Sequence, residues 1–164
     1  MEHITLRNID AANWETICDM NPGEDSRDFV ADNAYSIAQS MFEKNWTIKA
    51  IYADEQPIGF AMYGLGKEEI LGYELCRFMI DKSQQGKGYG KKALAVIIEE
   101  MFRQFDCDRL YLSTSPQNFR AQALYKSMGF VPTGESCGDQ DDIEDIYCLL
   151  QTDFYSQKEK EDAL

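Results

Sequence analysis

The stretch Arg77-Phe-Met-Ile-Asp-Lys-Ser-Gln-Gln-Gly-Lys-Gly-Tyr-Gly-Lys-Lys92 decides how the chain is read: an apolar run breaks into a glycine-rich turn, which opens a long helical pattern. Gly86, Gly88 and Gly90 alternate with Lys87 and Tyr89. Glycines so placed let the backbone approach an anion closely, and the amide groups beside a helix N-terminus point at it. Lys87, Lys91 and Lys92 add positive charge. Two common phosphate motifs do not fit. The dinucleotide fingerprint needs Gly-x-Gly-x-x-Gly and the Walker turn needs Gly-x-x-x-x-Gly-Lys-Ser/Thr, and neither spacing is present. From spacing alone the turn is either a phosphate cradle or an ordinary connection with solvated lysines.

Upstream of the turn, residues 4–9 alternate apolar and polar like a first strand, and a helical pattern through Trp14, Ile17 and Cys18 follows. Phe29, Val30, Asn33, Ala34, Ile37, Ala38 and Met41 recur at helical spacing, which predicts a second helix from about residue 28 to 43 with most of that stripe in the core. The period then changes. Residues 46–53 and 57–63, parted by Asp54-Glu-Gln56, read as a hairpin, and residues 70–80 as a third strand of the same meander.

Downstream, Ala93, Leu94, Val96, Ile97, Ile98, Met101, Phe102 and Phe105 make a helix apolar on two sides, as burial against a sheet requires. Residues 108–114 are then a strand, and strand–helix–strand order implies a parallel pairing with a right-handed crossover. A shorter helix begins near Asn118 and stops at Gly129. Residues 130–134 and 143–150 form a closing hairpin around the acidic turn at residues 138–142. The remaining tail is polar at its end, and its last residues are expected to fray.

A chain of 164 residues with 44% hydrophobic content suits one compact domain, taken as residues 1–150 with residues 151–164 as a C-terminal extension. The start lacks the basic and apolar blocks of a signal peptide, and no apolar run is long enough to span a bilayer, so a cytoplasmic protein is expected. Five widely spaced cysteines without a Cys-x-x-Cys pair argue against a disulfide framework and a zinc site and read as buried, reduced thiols. The single histidine, His3, excludes a Ser-His-Asp or Cys-His system, so acid–base chemistry falls to Glu, Asp, Tyr or water. A net charge of −13 disfavours nucleic acid and anionic membranes as partners and is compatible with a cationic substrate.

Two separated motifs together resemble the Gcn5-related N-acetyltransferase (GNAT) family. The first is Gln85-x-x-Gly88-x-Gly90 in the turn. The second is Asn118-x-x-Ala121-x-x-Leu124-Tyr125, followed by Gly129-Phe130. The resemblance covers about residues 4–150. It implies an α/β fold of the α+β type, with a mixed, mostly antiparallel sheet flanked by about four helices. The fourth and fifth strands would splay apart in a V that admits the pantetheine arm of acetyl-coenzyme A. On that resemblance Phe78, Met79 and Ile80 bind the arm through their backbone. Gln85, Gly86, Lys87, Gly88, Tyr89, Gly90 and Lys91 hold the pyrophosphate, and Asn118, Ala121 and Tyr125 flank the arm. Tyr125 is placed as general acid beside the coenzyme sulfur, its alternative being a packed helix-face aromatic. Glu74 is the leading general base, or else a salt-bridged strand residue. No metal is implied. Within the family, residues 29–33, 59–64 and 77–81 look most like the bacterial spermine/spermidine acetyltransferases. That likeness makes Glu24, Asp28 and Asp32, with Asp25, candidates for holding a small-molecule amine, although exposed charges at a helix start explain them equally. Acetylation of a protein N-terminus, a lysine or an amine antibiotic is the alternative within enzymes, and a coenzyme-binding module with little turnover is the alternative outside them. Many relatives dimerise through terminal strands, which makes a homodimer an expectation.

Overall fold

A computed structural model describes residues 2–66, 70 and 72–163. In chain order the elements are β1 (Ile4–Arg7), α1 (Trp14–Asp19), a 3-10 segment (Glu24–Phe29), α2 (Asn33–Phe42), β2 (Trp46–Ala53), β3 (Gln56–Leu65) and β4 (Tyr73–Ile80). A short 3-10 turn (Lys82–Gln84) leads to α3 (Tyr89–Phe105), β5 (Arg109–Thr114), α4 (Phe119–Ser127), β6 (Val131–Cys137), β7 (Glu144–Leu150) and α5 (Gln151–Asp162). Seven strands form one sheet in the order β1-β2-β3-β4-β5-β7-β6. Neighbours pair antiparallel except β4 and β5, which are parallel.

The strand period of two sorts β2 and β3 between two cores. Ile51, Ile58, Ala61 and Tyr63 face α3, while Ala50, Tyr52, Phe60 and Met62 face Ile17 of α1. The two-sided helix pattern is explained by burial: Ala93, Leu94, Ile97, Ile98, Met101 and Phe102 of α3 are all enclosed.

The parallel pair is joined at a single position, Glu74 opposite Tyr111, and the strands diverge beyond it. On its other side β4 carries a bulge. Met62 pairs with Arg77 and Tyr63 with Leu75, so Cys76 is the extra residue. A bulge bends its strand and strengthens its twist, here at the point where β4 leaves β5. The expected splay between the fourth and fifth strands is therefore present.

Two expectations about the second helix change. The second helix begins at Asn33, because Val30 is extended at φ −144°, ψ 134°, and Asp32 at ψ 143° is an N-cap, not a helical residue. Its stripe is core only in part: Ile37 packs against the cluster around Ile17, whereas Ala34, Ala38 and Met41 are exposed. Asn33 and Ser36 face inward, the Asn33 amide donating to the Ile17 carbonyl at 2.8 Å, while Tyr35, Met41 and Phe42 are exposed. Periodicity located the helix without choosing its face. The tail, in turn, is helical through Asp162. Phe154 is buried, its ring and that of Tyr155 lying against Phe102, which anchors α5 to α3.

Part of the loop after β3, residues 67–69, and residue 71 of the stretch assigned to the third strand lie outside the described residues. The cysteines are free thiols, each partly exposed, not enclosed. Among the described residues no helix is long and apolar enough to cross a membrane.

Candidate active site

The splay opens into a cleft of about 1140 Å³, lined by β4, the glycine turn, the ends of β5 and α4, the 3-10 segment and the turn before β7. Its construction follows from the backbone. Gly86 and Gly88 adopt φ of 77° and 80°, and a side chain built on either would meet nothing within 4 Å. The conformation calls for glycine while the space in front of it stays open. Gly88 caps α3, so the first amides of a 17-residue helix face that space. The turn and the β4 edge together fit a phosphate group carried on an extended, hydrogen-bonding arm.

The side chains of the turn do other work. Gln85 donates to the carbonyls of Pro22 at 2.9 Å and Ile80 at 2.8 Å and accepts from Arg120 at 2.9 Å. It ties the turn to β4, α4 and the loop after α1. Lys87 donates to Gln84, and Lys91 pairs with Glu161 of α5 at 3.0 Å, so neither ammonium lines the cleft. Tyr89 is buried, with its hydroxyl donating to Glu2 at 2.6 Å. The open face that the turn presents to the cleft is thus backbone, with the Lys87 and Lys91 ammonium groups engaged elsewhere. Asn118 caps α4, its Oδ1 accepting from the Ala121 amide at 3.2 Å, and both residues line the cleft with Phe78, Met79 and Ile80.

Glu74 and Tyr125 line the same cleft. Burial pushes the Glu74 carboxyl up to about 7, with Arg77 opposing the shift and Glu144 adding to it. Burial likewise pushes the Tyr125 phenol up to about 12, again with a contribution from Glu144. No hydrogen bond occupies the Tyr125 hydroxyl among the described residues. Cys76 is raised to about 12 by burial and stays a thiol, which removes it as a nucleophile at neutral pH.

Of the acids between residues 24 and 32, the structure places Asp28 on the cleft wall, whereas Glu24, Asp25 and Asp32 are exposed and do not line it. Three acids from the closing hairpin do: Asp141, Asp142 and Glu144. Sequence reading missed them. Their one signal was the acidic turn, and only the insertion of β7 between β5 and β6 carries it to the cleft. Ser113 on β5, also missed, donates to Glu144 Oε2 at 2.5 Å.

Residues 8–130 match the model of the acetyltransferase (GNAT) family. The chain belongs to that family. Among curated relatives, this acetyltransferase is 30% identical over 137 residues to a probable spermine N(1)-acetyltransferase of Bacillus subtilis subsp. natto, covering 80% of this chain and 90% of that one. It is 29% identical, with the same coverage, to the spermine/spermidine N(1)-acetyltransferase of Bacillus subtilis. An aminoglycoside acetyltransferase solved with coenzyme A superposes with a TM-score of 0.78 at 16% identity, over 95% of this chain and 99% of that one. The spermidine N-acetyltransferase of Vibrio cholerae, solved with coenzyme A and spermine, superposes at 0.71 and 15% identity, over 93% and 98%. At such identities the two structures establish the shared fold alone.

For this acetyltransferase, Gly88→Val is expected to weaken coenzyme binding at least about tenfold. A β-branched residue at φ 80° costs of order 1–3 kcal/mol in strain and would fill the open space in front of the amides. Titration calorimetry with acetyl-coenzyme A on the folded variant checks it; an unchanged Kd would make the turn a mere connection.

Proposed function

We propose that this acetyltransferase transfers the acetyl group of acetyl-coenzyme A directly to a primary amine of spermine or spermidine. The observation that carries the reading is the charge layout of the cleft. The anion-binding glycine turn follows the end of β4. Glu74 lies six residues back along that strand, roughly 20 Å at the rise of an extended chain, and shares its surroundings with Glu144, which the Asp141-Asp142 turn precedes. Coenzyme phosphates suit the first region and a flexible polycation the second. The curated relatives, named for spermine and spermidine, support the same acceptor.

An alkyl ammonium titrates near ~10.4 and must lose a proton before it can attack. Glu74 takes that proton, since a carboxylate raised to about 7 is still ionised just above neutrality and is a stronger base than an exposed one. The free amine nitrogen then bonds to the thioester carbonyl carbon, the carbon–sulfur bond breaks, and the surplus proton of the attacking nitrogen passes to the departing thiolate, leaving an amide and the free coenzyme thiol. Tyr125 supplies a hydrogen bond to the departing sulfur. With its phenol raised to about 12 it remains protonated throughout the working range, and full transfer of that proton to a thiolate of ordinary basicity, ~8.5, would be uphill. Its role is that of a donor more than of a strong acid.

Initial rates with spermine, spermidine, a monoamine and a lysine peptide test the acceptor. The polyamines are expected to exceed the others at least about tenfold in kcat/KM. Their advantage should shrink as salt screens the cleft carboxylates. A preference for the peptide, or salt-independent rates with spermine, would overturn the assignment.

A further inference from the structure

Glu144 is the first residue of β7, half-buried in the cleft. Ser113 occupies one of its oxygens, and among the described residues no lysine or arginine forms an ion pair with it. An ionised carboxylate retains acceptor positions beyond one hydroxyl. Its neighbours do not compensate it. Glu74 lines the same cleft from β4 as a second carboxylate, Asp141 and Asp142 precede Glu144 on its wall, Asp28 lines the cleft from the 3-10 segment, and Tyr125 and Cys76 are neutral there. Arg77 is the cation that acts on Glu74, and its Nη1 is committed to the Cys76 carbonyl at 3.0 Å and the Cys76 sulfur. Carboxylates that share one partly buried cleft repel one another, and a further cation docked among them relieves that repulsion.

We propose that Glu144 binds an ammonium of the acceptor next to the one that Glu74 deprotonates, and so determines the preference for amines with more than one positive charge. The inference rests on the polyamine reading above and assigns a specificity residue outside both family motifs. Ser113 holds the carboxylate toward the cleft. Glu144 lines the same cleft as Glu74 and Tyr125, so an ammonium docked on it keeps the rest of a flexible polyamine in the space that those two groups border.

The test compares Glu144→Gln with the wild type, using spermine and butylamine as acceptors and calorimetry for acetyl-coenzyme A. Glutamine keeps the size and loses the charge. The expected result is a rise in KM for spermine of about tenfold or more, a much smaller change with butylamine, which feels Glu144 only through its effect on Glu74, and unchanged coenzyme affinity. The ratio of kcat/KM for the two amines therefore collapses. Both amines are measured on one preparation, so a loss of folded protein cancels in that ratio, and Glu144→Asp, which keeps the charge, should recover most of it. An unchanged ratio, or an equal loss for both amines, overturns the proposal while leaving the acetyltransferase reading intact. A wild type that binds the coenzyme and acetylates none of the amines would overturn both.

Discussion

Glu74→Gln is expected to lower kcat/KM for spermine at pH 8 by roughly 10²–10⁴-fold, the range for losing a positioned general base, and to erase the acid limb of the pH profile. The limb has a definite sign. Only the ionised Glu74 accepts a proton, and burial places its carboxyl at about 7, so wild-type kcat/KM should fall as the pH drops through that value. Glutamine cannot titrate, and whatever rate survives should lack this limb. The same burial has a consequence for stability. An unfolded chain would ionise Glu74 in the ordinary carboxylate range, whereas the folded chain keeps its proton up to about 7. Stability supplied by the raised group is complete below the ordinary range and is lost as the pH rises toward 7. Denaturant midpoints of the two proteins should converge at acid pH relative to their separation at pH 8, with the variant the less pH-dependent. A rate profile unaltered by the substitution would remove Glu74 from the reaction and leave the proton to water.

Tyr125→Phe should reduce kcat by about 10²-fold or more while leaving the affinity for acetyl-coenzyme A within a factor of about two. A single donor aimed at developing charge in a water-poor site is worth roughly 10²–10³ in rate, and an interaction made only in the transition state appears in kcat. The phenylalanine ring preserves the edge contact with Phe130, whose centroid lies 6.1 Å away, so packing is retained and the hydroxyl alone is lost. Stopped assays at saturating acetyl-coenzyme A and spermine measure the first quantity and calorimetry the second. Wild-type turnover in the variant would return Tyr125 to packing; a large loss of coenzyme affinity would make it a binding residue.

These two groups were legible in the sequence to different degrees. Tyr125 stands in a local motif, Asn118 to Tyr125, whose spacing is that of one helix and whose cap, Asn118 to the Ala121 amide, is formed inside it. The glycine turn is equally local, because positive φ at Gly86 and Gly88 is a property of those residues and of the helix they open. Glu74, by contrast, was a strand residue at a plausible distance from the turn. What raises its carboxyl is burial, in a cleft that residues of α4, β5 and β7 line together with β4.

Read by itself, the amino-acid sequence determined the order of strands and helices from β1 to β7, the two-sided burial of α3 and the glycine turn that opens it, since periodicity, capping and glycine conformation act over a few neighbouring residues. The tertiary structure alone decided which acids line the cleft. Pairing of β7 with β5 is a contact between distant segments with no periodic signature, and it brings Asp141, Asp142 and Glu144 to the cleft, whereas of the acids between residues 24 and 32 only Asp28 lines it. It also decided that Lys91 answers Glu161 and Gln85 staples three segments, because a long polar side chain takes whichever partner the packed backbone sets within reach.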